Sequence, residues 1–405
     1  MQVLEISNPK DLKKIMQEIK VDPYGIKIML PKATTHLLKI NSISSITANI
    51  LKQEMLSLGA DAAVARGALT GKTQKTDCLL IGNLSQFIRL KEKLKIQPFG
   101  LNRLARELSD ALANYENDKF ILDLGRYKLN LTRRPQIMGI LNLTPDSFSG
   151  DGWYQGLSPS QLKGTLPKGA VPAVEKMVKD GADIIDIGGE SSRPGAKPVS
   201  VKEELRRTIP VIKTLAKKIK VPISIDTYKP EVAKAALDGG ASIINDISGL
   251  KNTKMAKVAA DYRAGVVIMH MQGRPLTMQR NPVYASLLGE IIAYLKAAIE
   301  RAKENGVAEN QIIIDPGIGF GKTTEHNLEI LKRLSEFKVL GRPILVGPSR
   351  KAFIGEILGV GSQERIFGTV SSCVLAVRNG AKIVRVHDVL AVRQALKIFE
   401  AMDRR

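Results

Sequence analysis

From about Gln136 onward the chain alternates between two hydrophobic rhythms. Short runs rich in β-branched residues are each followed by a longer stretch whose apolar positions recur at helical spacing, the pattern of successive βα units in a parallel sheet. The runs are QIMGILNL (136–143), DIIDIGG (183–189), PISIDT (222–227), SIINDI (242–247), GVVIMH (265–270), QIIIDP (311–316), PILVGPS (343–349) and KIVRVHD (382–388). Eight strands with helices between them, within about 270 residues, predict an α/β fold of the (β/α)8 or TIM-barrel kind. A doubly wound open sheet is the other arrangement of the same units. The helical stretches agree. Lys202 to Ile219 is amphipathic, with Pro210 expected to kink it or shift its start. PEVAKAALDGG opens with Pro230 in a first-turn position and closes on Gly239 and Gly240. Ser149 to Gly169 is rich in glycine, proline and serine and reads as a long mobile loop after the first strand.

The first 132 residues have a different grammar. KDLKKIMQEI, SSITANILKQEMLSLG and LNRLARELSDALANY read as helices, KIMLPK and DCLLIGN as strands. They predict a separate, smaller α/β or α+β domain at 1–132, followed by the barrel at 133–405. QPFGL and the glycines at 67 and 71 read as turn geometry.

Length, charge and cysteine content narrow the function. The chain has 405 residues, enough for two or three domains and a large core. Its two cysteines, Cys78 and Cys373, form no CxxC pattern, which excludes a disulfide framework and a cysteine-type zinc site. The start has acidic residues and no apolar signal core, and no apolar run reaches spanning length, so a cytoplasmic protein is expected. The formal charge is +21, of which about +9 lies in the first 134 residues, without a dense basic block in either part. Aromatic residues make up 4% and do not interleave with the basic ones, so nucleic acid is not the expected partner. The same field attracts small anions.

IIIDPGIGFGKT (312–323) has the outline of a nucleotide phosphate loop. The register fails. Glycine is required five places before the Gly-Lys pair, and Pro316, which has no N–H, stands there. RGALTGKT (66–73) fails likewise, with Arg66 in that place.

In a (β/α)8 barrel the active site lies at the carboxyl ends of the strands. Here those ends are systematically polar: Asn142; Glu190 to Arg193; Asp226; Asn245 and Asp246; His270; Asp315; Ser349 to Lys351; Arg385, His387 and Asp388. Each has a structural explanation of its own. Asp226 suits a helix cap, Asp315 an Asx turn, His270 a satisfied wall position, and Arg350 and Lys351 a solvated face. Arg385 inside IVRVHD resists one, because a guanidinium in a strand needs an anion. Arg385 and His387 are two apart and project to one side. Together the residues divide into acceptors and amides for a flat nitrogen heterocycle (Asp226, Asn245, Asp315) and an anion site (Arg385, His387, Asn142), with Lys351 bridging them.

The ordered series GILNLTPDSFS, DIIDIGGESSRPG, SIDT, INDISG, MHMQGRPLTMQ, DPGIGFGKTTEHN, GPSRKAFIG and RVHD, spanning 139–388, closely resembles the dihydropteroate synthases. That resemblance implies a dimeric barrel that condenses 6-hydroxymethyl-7,8-dihydropterin pyrophosphate with 4-aminobenzoate. It implies pterin contacts from Asp226, Asn245, Met269, Asp315, Gly347 and Lys351, and pyrophosphate contacts from Asn142, Arg385 and His387, with Mg²⁺ at Asn142. It implies an aminobenzoate pocket of Phe148, Ser192, Arg193, Pro194, Phe320 and Ser349, together with Lys351. Lys351, Asp146, Arg385 and His387 would carry the chemistry: the C–O bond breaks first, Asp146 stabilises the pterin cation, and the neutral aniline nitrogen attacks. Two departures stand out, SSRPG where the family commonly has Ser-Thr-Arg-Pro-Gly, and an extended first loop. The N-terminal region lies outside the family's ordinary catalytic domain. Two rivals remain: a methyltetrahydrofolate-binding corrinoid methyltransferase on the same barrel, which has no need of TPDSF, SRK or RVHD, and a non-catalytic pterin-binding protein.

Overall fold

The computed structural model describes residues 1–4, 6, 9–144, 169–191 and 195–403. Two compact units divide the chain, Met1–Ala113 and Asn114–Arg405.

In the first unit, strands β1 (Thr35–Ser44), β2 (Asp61–Val64) and β3 (Lys75–Asn83) form an antiparallel sheet in the order β1-β3-β2. Helices Ser45–Ser57, Leu84–Lys95 and Leu101–Glu116 supply Leu51, Met55, Phe87, Leu90, Leu101 and Ala105 to a core shared with Leu80. Local chemistry sets the helix starts: Ser44 accepts from the Thr47 N–H, and Asn83 and Gln86 form a reciprocal capping box. DCLLIGN lies in β3 as expected. KIMLPK does not form a strand. Asp22 accepts from the N–H groups of Tyr24 and Gly25, Pro23 occupies the first turn, and the chain is helical over Pro23–Met29 and then 3₁₀ over Leu30–Lys32. A cap followed by proline outweighs a short apolar run with no alternation. The unpredicted β1 alternates properly, with His36, Leu38 and Ile40 on its more buried side. Gly71 and Gly100 have positive φ, as turn glycines do.

The second unit opens with a hairpin, β4 (Ile121–Asp123) and β5 (Lys128–Asn130). Eight parallel strands follow: β6 (Gln136–Asn142), β7 (Ile184–Gly188), β8 (Ile223–Asp226), β9 (Ile243–Asp246), β10 (Gly265–Met269), β11 (Ile312–Asp315), β12 (Ile344–Val346) and β13 (Ala381–Val386). They close into a barrel in sequence order, β13 pairing β6. The open-sheet alternative is thereby excluded. Pro210 lies within an unbroken helix, Val201–Lys218, neither ending it nor moving its start.

The alternation of each strand decides what faces inward. Met138, Ile184, Ile243, Val267, Ile313, Leu345 and Ile383 bury together with Leu122, Leu124 and Leu131 of the hairpin segment, forming the barrel floor. Their strand neighbours, Ile137, Ile185, Ile244, Ile268 and Ile314 among them, pack outward with the helices. The hairpin therefore belongs with the barrel, and the compact unit starts at Asn114 rather than at the expected 133. Each fully buried leucine is worth about 1.5–3 kcal/mol. A chain starting at Asn114 is expected to melt near the full-length protein, whereas one starting at Arg133 loses three floor leucines and melts well below it; calorimetry of both checks this.

Candidate active site at the barrel mouth

Side chains on a strand alternate, so the residue two places beyond each floor residue also points inward, one layer higher. That layer is Ile140, Asp186, Asn245, Met269, Asp315, Gly347 and Arg385, with Asp226 two beyond the buried Ser224 of β8. Asn142 and His387 come two further on. The strand period alone thus converts an apolar floor into a polar mouth.

A buried network occupies one side. Arg385 Nε donates to Asp186 Oδ2 at 2.6 Å and Nη2 to Asp226 Oδ2 at 2.8 Å, while Asn245 Nδ2 donates to the same Asp186 oxygen at 3.1 Å. The anions that Arg385 requires within its strand are therefore the carboxylates of β7 and β8, reached across the barrel mouth. Asp186 is fully buried, and its Oδ1 has no hydrogen-bond partner. Sequence reasoning passed over Asp186 for the residues that follow β7, although its parity with Ile184 was a readable signal. Burial raises Asp226 above the usual carboxylate range, against the pull of Arg385. Burial also works against the Arg385 guanidinium, but Asp186 and Asp226 more than offset it and its pKa is raised.

Asp315, at the end of β11, is buried and accepts from the Gly317 N–H at 2.7 Å. Burial lifts it to about 6, opposed by that hydrogen bond and by Lys351, Lys322 and Arg385. The glycine-rich turn beyond it is shaped by close packing rather than by a phosphate. A Cβ on Gly317 would sit 1.9 Å from the His270 carbonyl oxygen, and Gly317 has φ of 74°. Phe320 buries with Ile247, Met269, Met271 and Met278, and Lys351 Nζ stands 4.1 Å above its ring.

His387 links the remaining groups. Its Nε2 lies 3.4 Å from Asn142 Nδ2 and its Nδ1 3.0 Å from Ser349 Oγ, which also accepts the His387 N–H at 3.1 Å. Asp246 faces away from this mouth and ties down its own loop, accepting from the N–H groups of Ser248 and Leu250. Asp146, Phe148, Ser192, Arg193 and Pro194, expected at this mouth, lie outside the described residues.

His270 is a satisfied wall residue. It lies edge-on to Tyr294 with centroids 4.9 Å apart, and Lys322 Nζ approaches its Nδ1 to 3.0 Å while donating to the Phe320 carbonyl at 3.0 Å. Burial and the Lys322 charge push His270 down to about 3. Burial takes Lys322 down to about 7 from 10.5. Between these two values the unfolded chain holds a proton that the folded protein has released, so Lys322 costs stability at pH 7 and below, and the cost fades as pH rises toward 10.5. Replacing it by methionine, Lys322→Met, should abolish this alkaline gain; thermal melts across that pH range measure it.

Fold and mouth together define a pterin-binding barrel enzyme, and residues 138–387 match the family described as pterin binding enzyme. Dihydropteroate synthase of Synechocystis is 47% identical over 285 residues, covering 70% of this chain and 95% of that protein. The crystal structure of the Yersinia pestis dihydropteroate synthase with a sulfonamide drug superposes with a TM-score of 0.66 at 42% identity, covering 71% of this chain and all of that one. The chain belongs to the dihydropteroate synthase family. A probable bifunctional folylpolyglutamate synthase/dihydropteroate synthase of Halobacterium salinarum is 36% identical over 98% of this chain and 46% of its own length, so that likeness extends through the N-terminal unit.

Proposed function

We propose that this chain condenses 6-hydroxymethyl-7,8-dihydropterin pyrophosphate with 4-aminobenzoate to give 7,8-dihydropteroate and pyrophosphate. The observation that carries the reading is the inward layer itself, in which Asp186, Asp226, Asn245 and Asp315 gather acceptors beside the Asn142–His387–Ser349 group. A pterin edge rich in N–H donors answers buried carboxylates, including the unpartnered Asp186 Oδ1. Asp226, Asn245 and Asp315 hold the pterin ring, with Met269 and Gly347 walling its slot. Lys351 joins the pterin contacts and bridges the two halves, and Asn142, Arg385 and His387 receive the pyrophosphate.

Among the described residues no three or more His, Cys, Asp or Glu gather as a metal cage. Mg²⁺ needs no such cage, since it keeps few protein ligands and takes substrate phosphate oxygens. The Asn142 carboxamide oxygen would hold it. When bound, the ion neutralises charge on the departing pyrophosphate. Arg385 and His387 supply donors to the same charge, and their fixed placement avoids reorganisation as the C–O bond breaks. Asp146 is assigned to the resulting cation. Lys351 and Phe320 orient the aminobenzoate, along with Phe148, Ser192, Arg193, Pro194 and Ser349. The aniline nitrogen, neutral at pH 7, then attacks without a strong base.

Pyrophosphate release by the full-length protein, measured with Mg²⁺ and the pterin pyrophosphate, tests the reading. Release that depends on 4-aminobenzoate and yields dihydropteroate supports it. Pterin binding without release points instead to the methyltransferase or the binding protein.

The enzyme is assigned as a cytoplasmic homodimer; no helix among the described residues is long and apolar enough to cross a membrane. Helices Ala352–Leu358, Ile366–Arg378 and Val389–Asp403 present exposed Ile357, Phe367, Leu375 and Ile398, an apolar face suited to a second copy. Phe367→Asp is expected to convert the dimer to monomer in sedimentation. The N-terminal domain takes no part in the chemistry.

A further inference from the structure

Arg350 stands between Ser349 and Lys351, yet its guanidinium is committed to protein groups. Its φ of 54° lies in the left-handed region, which costs a residue with a Cβ about 1–2 kcal/mol and persists where the surroundings over-determine it. Four groups do so. The Thr369 hydroxyl accepts its N–H at 3.0 Å, and Arg365 Nη1 donates to its carbonyl at 3.1 Å. Asp388 accepts from Nη2 at 2.7 Å and Nε at 3.0 Å, and Gln363 accepts from Nη1 at 3.2 Å.

The reach of Arg365 depends on Gly355. A Cβ there would lie 2.3 Å from Arg365 Nη2, so the glycine of KAFIG keeps its path open. Asp388 directly follows His387. Two cross-links, one residue apart in each loop, therefore join the segment after β12 to the segment after β13: Ser349 to His387, and Arg350 to Asp388.

We propose that Arg350 is a positioning residue, which through its Asp388 pair and left-handed turn sets Lys351 and His387 at their working separation. The inference rests on the reading that Lys351 and His387 contact substrate. A forked guanidinium fixes orientation as well as charge, which an ammonium does not. Displacing a catalytic group by about 1 Å costs on the order of 100-fold in rate.

The test compares Arg350→Lys, Asp388→Asn, their double variant, Gly355→Ala and Lys351→Ala in full-length protein, reading kcat, both KM values and thermal midpoint. Arg350→Lys and Asp388→Asn should each lower kcat about 10- to 100-fold, with smaller changes in either KM and the thermal midpoint held. The double should be no slower than the worse single, because one link has been cut twice. Gly355→Ala should lower kcat too, although alanine favours the helix by about 1 kcal/mol. Rates within about twofold of the parent in Arg350→Lys and Asp388→Asn, or losses that multiply in the double, overturn the proposal. A normal Lys351→Ala would instead overturn the site reading beneath it.

Discussion

Asp315→Ala is expected to abolish pterin binding while leaving the protein at least as stable as before. The carboxylate is buried, held by the Gly317 N–H, and raised to about 6 chiefly by burial. Removing one partner of a buried charged pair costs about 3–5 kcal/mol, so affinity for the pterin should fall by roughly 100-fold or more. Stability moves the other way. The folded pKa lies above the ordinary 3.8, so the folded state holds a proton that the unfolded chain has lost as pH rises from 3.8 to about 6. The penalty is absent at low pH and fully present above about 6. Calorimetric titration with a pterin and melts at neutral pH check both limbs. Near-normal affinity would remove Asp315 from the site. In the parent, pterin affinity should decline as pH falls through about 6, where the carboxylate becomes protonated.

Lys351→Ala should cripple turnover, by about 10²–10³ in kcat if its charge acts as a fixed electrostatic group of the mouth. Its Nζ stands over Phe320, and its charge helps hold both Asp315 and Asp226 toward the ionised form. Loss of that charge lets the Asp315 pKa rise. The acid limb of the pH–rate profile should therefore shift to higher pH in the variant, a signature that loss of packing alone would not produce. Rates near the parent's, or an unmoved acid limb, would show that Lys351 lies outside the electrostatics of the reaction.

The eight β-rich runs alternate with helical stretches so regularly that the βα units and the (β/α)8 expectation follow from residue order, while the closed barrel and the inward side of each strand were read from the structure. Asn142, Asp226, Asn245, Asp315 and Arg385 were legible because they are polar residues at strand ends, where the fold class places chemistry, whereas Met269 and Gly347 came only from the family resemblance. Asp186 was equally determined by parity but was masked by the richer polar run after it. KIMLPK was misread because a short apolar run has no period of its own, and the cap at Asp22 decided it.

The sequence by itself determined the eight βα units and which residue types stand at their strand ends, because hydrophobic period and turn chemistry are local. Closure into a barrel, and the hairpin leucines in its floor, came from the tertiary structure. It alone decided the side-chain pairings. Arg385 meets Asp186 across 199 residues and Asp226 across 159, Lys322 meets His270 across 52, and the hairpin joins the barrel rather than the N-terminal unit. These contacts depend on the fold, which gathers side chains from separate strands and loops at one mouth, and burial there moves pKa values that no local pattern encodes.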